Sequence, residues 1–189
     1  ISLDFLRSNH VDAKYYPDFG FYLRPSVKDY SLYLKEHGVP LDQKKVVITL
    51  RPNRFTGMNN PHQLYINYLN GVCRLVSYLH DNDYHITFFA HTLGPSSHED
   101  DRIAIKDVMC LLKKDVKDKT TYIEDLDLTC EDVEKIYSYY DYMIGTRFHS
   151  VIFSLNVGVP AIAIAYGGNK GKGIMHVLDA DKYSIDMTT

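Results

Sequence analysis

Apolar positions along this chain alternate between two rhythms. Short, dense runs occur at 46–50 (VVITL), 84–90 (YHITFFA), 142–145 (YMIG) and 160–165 (PAIAIA), with a shorter and more polar one at 121–124 (TYIE). Runs of this length that are apolar on both faces mark strands buried in a parallel sheet. Between them the apolar spacing becomes helical. Leu64, Tyr65, Tyr68, Leu69, Val72, Leu75, Val76 and Leu79 trace one face of a helix over about 62–80. Ile103, Ile105, Val108, Met109, Leu111 and Leu112 do the same over about 99–113. Thr129, with Asp132 three residues on, predicts a capped helix start running to about 140. RFHSVIFSLNVG fills the gap between the fourth and fifth strands as a further helix, and helical spacing resumes after Gly173.

Strands separated by helices in this order predict an α/β fold, a doubly wound parallel sheet of Rossmann-like type with right-handed crossovers. The pattern begins near residue 42. Residues 1–41 are turn-rich and aromatic (YYPDFGFYLRPS), with one helix in SVKDYSLYLKEHG that closes on Gly38. They read as a lead-in segment packing on a domain formed by 42–189.

Composition narrows the function classes. The chain has 189 residues, 45% apolar and 24% charged, with a net charge of −3. That suits one sizeable globular domain and carries no basic footprint for nucleic acid. No window approaches the ~18 apolar residues of a membrane span. Cys73, Cys110 and Cys130 are odd in number and widely spaced, so they read as buried thiols in a reducing, cytoplasmic setting rather than as a disulfide framework.

Candidate chemistry gathers where strands end. In doubly wound sheets, ligands sit beyond the carboxyl ends of strands, where loops lead into helices. GTRFHS lies at such a point, and a helix N-terminus there favours an anion. Thr146 precedes Arg147, whose planar fork suits a carboxylate or phosphate. His149 can give or take a proton near neutrality. The alternative is a structural turn in which Arg147 pairs with a local acid such as Asp141. Arg51 closes the first strand (VVITLRP) and is either a second anion ligand or a solvated loop cation. YGGNKGKG after the fifth strand fails the P-loop spacing; it is a glycine turn, or it carries Lys170 or Lys172 to the same edge. His91 and His98 beside Glu99, Asp100 and Asp101 lack metal-ligand spacing and read as a solvated helix start, so no metal is expected.

YDYMIGTRFHSVIFSLNVGVPAIAIAY, with the arginine-closed strand VVITLRP and the upstream PDFGFYL, resembles the polysaccharide pyruvyl transferase family. The resemblance covers roughly residues 15–180, and its specific part is GTR-x-H with the GVP strand after it. It implies the C-terminal, donor-binding half of a protein resembling a GT-B fold, with the acceptor-binding domain lying outside this chain. It further implies transfer of pyruvate from phosphoenolpyruvate, without a cofactor, onto two hydroxyls of a sugar or lipid-linked oligosaccharide in a cell-surface or exopolysaccharide precursor, giving a cyclic ketal. His149 would be the general acid. Arg51, Arg147, Thr146 and Lys170 or Lys172 would hold the donor, and peripheral membrane association fits a lipid-linked acceptor. Two other readings stay open: a GT-B glycosyltransferase or sugar-nucleotide epimerase, and a non-catalytic anion-binding module.

Overall fold

The computed structural model describes residues 2–166 and 169–188, excepting the side chains of residues 2 and 169–172. In chain order the elements are α1 (Ser2–Ser8), a 3-10 turn (Phe19–Tyr22), α2 (Ser31–Glu36), β1 (Lys45–Thr49), α3 (Pro61–Asp81), β2 (His85–Phe89), α4 (Asp101–Leu111) and α5 (Lys114–Lys117). They continue with β3 (Thr120–Ile123), α6 (Cys130–Tyr137), β4 (Tyr142–Gly145), α7 (Phe148–Asn156), β5 (Ala161–Ala165), α8 (Asn169–Val177), a second 3-10 turn (Asp181–Tyr183) and β6 (Ser184–Asp186).

All strand pairs are parallel, in the order β3-β2-β1-β4-β5-β6. β1 starts the sheet at its centre, the chain winds outward through β2 and β3, then crosses back to β4 and winds out the other way. That reversal places the topological switch point between β1 and β4, where this class of sheet opens a crevice outside the strands' carboxyl ends.

Strand β1 shows why the sequence takes this form. Val46 and Ile48 point into the layer shared with α3 and α4, whereas Val47 enters the opposite layer with α2, α6 and α7. A strand apolar on both faces has no solvent face and belongs at the centre. Lys45 is buried at its foot because its ammonium donates to the carbonyls of Leu41 and Gln43.

The observed elements match the expected five strands within a residue or two and add β6, whose three residues are too few to set up a pattern. The helix expected from residue 99 begins at Asp101, because 92–100 forms a loop closed by a Leu93–Asp100 bridge. Thr129 does form a capping box with Asp132. In the lead-in, α2 ends at Glu36, and Gly38 takes φ +80° while Val39 N–H reaches back to Leu34 C=O. Tyr30, Leu34 and Val39 join the core beside β1 and α6. Cys73 is half-buried, but Cys110 and Cys130 are exposed on helix surfaces, contrary to the buried-thiol expectation.

Candidate functional site

Gly145 and Thr146, at the end of β4, knit the crevice together. Thr146 donates its N–H and its hydroxyl to Thr49 C=O, at 3.0 and 3.1 Å, and its hydroxyl oxygen accepts from Arg51 N–H at 2.6 Å. Ser150 Oγ donates to Arg147 C=O and lies 2.7 Å from Thr49 Oγ1. A Cβ on Gly145 would fall 2.7 Å from Ser150 Oγ and 2.9 Å from Val151 Cγ2, so only glycine allows α7 this close to the strand ends. The two strands and the helix between β4 and β5 are therefore fastened at the point from which Arg51 and Arg147 project.

Arg147 caps α7 in an extended conformation (φ −93°, ψ 123°), and the helix itself starts at Phe148. His149 is thus the second residue of the helix, one place earlier than the sequence suggested. The Arg147 side chain is 91% buried. Its Nε donates to Asp101 Oδ1 at 2.7 Å, and Nη1 donates to Glu99 Oε2. Nη2 also lies 2.7 Å from Asp101 Oδ1, but its protons are not aimed at that oxygen, and among the described residues Nη2 is left without a hydrogen-bond partner. Nη2 is thus a buried donor held by charge alone, an arrangement that is costly where the bond stays unmade.

The partners of Arg147 correct two expectations. Asp141 is not among them, because its carboxylate accepts from Lys45 N–H instead. The acidic start of α4 is also not simply solvated. Asp101 is fully buried and accepts from His91 and Thr92 N–H at 3.1 and 3.0 Å, in addition to Arg147. Burial pushes the Asp101 carboxyl up to about 6, against the pull of Arg147 and those two amides, so the ion pair persists at neutral pH. Arg147, although burial disfavours its charge, is held protonated by the two carboxylates.

Glu99 joins the two arginines. Its Oε1 accepts from Arg51 Nη2 at 2.8 Å while Oε2 accepts from Arg147. The hydrogen bond from Arg147 keeps its carboxyl below the usual range. Arg51 also stacks on Tyr166, its guanidinium carbon 4.3 Å from the ring centre.

On the outer side, Arg147, His149, Asp18, His91, Glu99 and Tyr166 help line a cleft of about 340 Å³. His149 is exposed, its Nε2 lying 3.4 Å from Asp18 Oδ1. Asp18 is fixed by accepting from Gly20 N–H at 2.8 Å, and Asn156 holds the same turn by donating to Gly20 C=O. His91 packs between Tyr137 and Phe153, and burial, with Arg147 and His149 nearby, pushes its imidazole down to about 3, so it is neutral.

A family model for polysaccharide pyruvyl transferase matches residues 1–168. The chain belongs to that family. The match includes Arg51, Thr146, Arg147 and His149 and stops before Lys170 and Lys172, whose side chains lie outside the described residues. As a polysaccharide pyruvyl transferase family member, the chain shares its fold with two solved sugar-metabolism proteins. One is the ADP-heptose lipopolysaccharide heptosyltransferase II of E. coli, with TM-score 0.54 and 11% identity over 78% of this chain and 41% of that one. The other is the UDP-GlcNAc 2-epimerase of Methanocaldococcus jannaschii, with TM-score 0.52 and 14% identity over 84% and 38%. The likeness is that of a GT-B-like half, and the chain spans about two fifths of either structure's length.

Sequence reasoning placed Arg51, Thr146, Arg147 and His149, which the fold brings to one edge. It missed Glu99, His91, Asp18 and Tyr166 as lining of the cleft that Arg147 and His149 share, and Asp101 as the buried acid behind Arg147. One signal for Asp101 was available: an acid opening a helix after the second strand faces the same sheet edge as GTRFHS.

Proposed function

We propose that the β1–β4 cleft is the donor site of a transferase that moves the pyruvyl group of phosphoenolpyruvate onto two sugar hydroxyls of a cell-surface or exopolysaccharide precursor. The observation that supports it most is the convergence of Arg51 and Arg147, from adjacent strand ends, on the two oxygens of a single carboxylate. Phosphoenolpyruvate carries a carboxylate and a phosphate, both matched by guanidinium forks and by the free N–H groups at the start of α7.

The chemistry assigned to these residues follows. His149, at the cleft mouth, delivers a proton to the methylene carbon of the donor, leaving an oxocarbenium centre at C2. One sugar hydroxyl adds to C2, the C2–O bond to phosphate breaks, and phosphate departs against Arg147 and Arg51. The second hydroxyl then adds to the regenerated oxocarbenium and closes the ketal. Of the two hydroxyl protons released, one balances the proton now in the methyl group and the other leaves with phosphate. Preorganised cations are the main stabilisers here, and the histidine supplies the proton transfer. No cofactor is part of this scheme.

In this reading the chain, from about residue 42, is the donor-binding half of a two-domain enzyme, and Lys170 or Lys172 closes over the donor. The acceptor, a sugar or lipid-linked oligosaccharide, approaches from a separate domain, so this chain alone transfers nothing. We place the enzyme in the cytoplasm, in keeping with its free cysteines, with peripheral attachment at the membrane. No helix among the described residues is long and apolar enough to cross one.

A donor screen on the intact protein, with phosphoenolpyruvate and nucleotide sugars offered against mixed glycan acceptors, tests the reading. Release of phosphate with ketal formation supports it. Turnover of a nucleotide sugar instead would assign the cleft to glycosyl transfer or epimerisation.

A further inference from the structure

Glu99 stands out because it does the work of a bound anion. Each of its carboxylate oxygens takes one guanidinium, Oε1 from Arg51 and Oε2 from Arg147, and it lines the cleft itself. We infer that Glu99 is an internal competitor: its carboxylate holds the place between the two arginines that a donor carboxylate or phosphate takes, and so sets donor affinity. This rests on the reading of the cleft as a donor site.

The surrounding structure allows such an exchange. The backbone of Glu99 is tied at both ends, its N–H to Ser96 C=O at 2.9 Å and its C=O to Gly94 N–H at 3.1 Å. Only the side chain has to move, and it is 40% exposed, with open solvent to turn into. Neither arginine depends on Glu99 to stay in place. Arg147 remains clamped by Asp101, and Arg51 remains stacked on Tyr166 with its N–H on Thr146. When the Glu99 carboxylate turns out, both guanidiniums therefore stay aimed at one point with their donors exposed.

An internal competitor leaves a distinctive signature. Displacing it costs the same for every anion that enters, so removing its charge tightens all of them by a similar factor. A residue that merely braced the arginines would give the opposite sign.

The test is calorimetric titration of the intact protein and its Glu99→Gln and Glu99→Ala variants with phosphoenolpyruvate and, separately, inorganic phosphate. Thermal melts confirm that the variants fold. Both variants are expected to bind both anions about three- to tenfold more tightly, the factor for removing one half-exposed carboxylate from two guanidiniums. In a transfer assay the KM for phosphoenolpyruvate should fall while kcat changes less. Equal or weaker binding of both anions would overturn the inference, and if the unaltered protein still bound phosphoenolpyruvate the donor-site reading would survive. If phosphoenolpyruvate failed to bind while the variants tightened phosphate, the inference would stand and the donor reading would fall. Binding of neither anion by any form would overturn both.

Discussion

Asp101 and Glu99 lie two residues apart and both hold Arg147, yet their surroundings differ completely. Asp101 is fully buried, opens α4, and accepts from two backbone amides as well as from the guanidinium. Glu99 sits on the loop before it, half-exposed, and among the described residues its carboxylate is hydrogen-bonded only by the two arginines. The same division runs through the whole cleft. Its backing, in which the buried Thr49, Thr146, Ser150 and Asp101 stand behind Arg147, is cross-bonded between elements. Its rim, with His149 against Asp18 and Glu99 against Arg51, is held by partly exposed charged side chains. Such a backing fixes where the cations point, and in the proposed donor site the looser rim is where ligand and proton would exchange.

The contrast is broken most directly by truncating the two carboxylates. Asp101→Ala leaves a buried cation without its main partner and two amides without an acceptor, so a loss of about 3–5 kcal/mol in urea denaturation is expected. Glu99→Ala removes half-exposed pairs and should change stability by only about 0–1 kcal/mol. Similar losses for both would mean that backing and rim are one structural unit.

His149 sharpens the functional side of the contrast. His149→Ala should leave the melting profile close to unchanged while lowering pyruvyl transfer by about 10²–10⁴-fold, the usual cost of a lost general acid. Full retention of activity would take the histidine out of the chemistry.

Acidification probes the backing from another side. His91 stays neutral in the fold down to about 3, against an ordinary value of 6.5, so below pH 6.5 the unfolded chain takes up a proton that the folded one refuses. Stability must then fall as pH drops from about 6.5 toward 3, by up to about 1.4 kcal/mol per pH unit for that proton. His85, held down to about 4 chiefly by burial, acts in the same direction. Asp101 opposes them between about 6 and its ordinary value of 3.8, because there the folded state binds the extra proton. His91→Asn should therefore flatten the acid limb by about one proton, measured as the pH dependence of urea unfolding. An unchanged slope would show that His91 is protonated in the fold.

Much of this architecture was legible in the sequence. Apolar runs and helical spacing specified the parallel sheet, and GTRFHS and VVITLRP announced arginines at strand ends, because those signals are local. What stayed hidden depends on contacts between distant segments. DD at 100–101 looks like a solvated helix start until the loop before α4 turns Asp101 into the crevice beneath Arg147. Asp18 meets His149 only because the lead-in turn is tied to α7 through Asn156. The strand β6 carries three residues, too few for periodicity to register.

The central claim is that Arg147, fixed from behind by Asp101, receives an anionic donor at the end of β4. Titration of phosphoenolpyruvate into the intact protein and into Arg147→Ala and Arg147→Lys tests it most directly. The alanine variant should lose about 1.5–3 kcal/mol of binding, the range for a hydrogen bond to a charged group. Lysine should recover only part of it, because it restores charge without the planar fork. Unchanged affinity in the alanine variant would contradict the account.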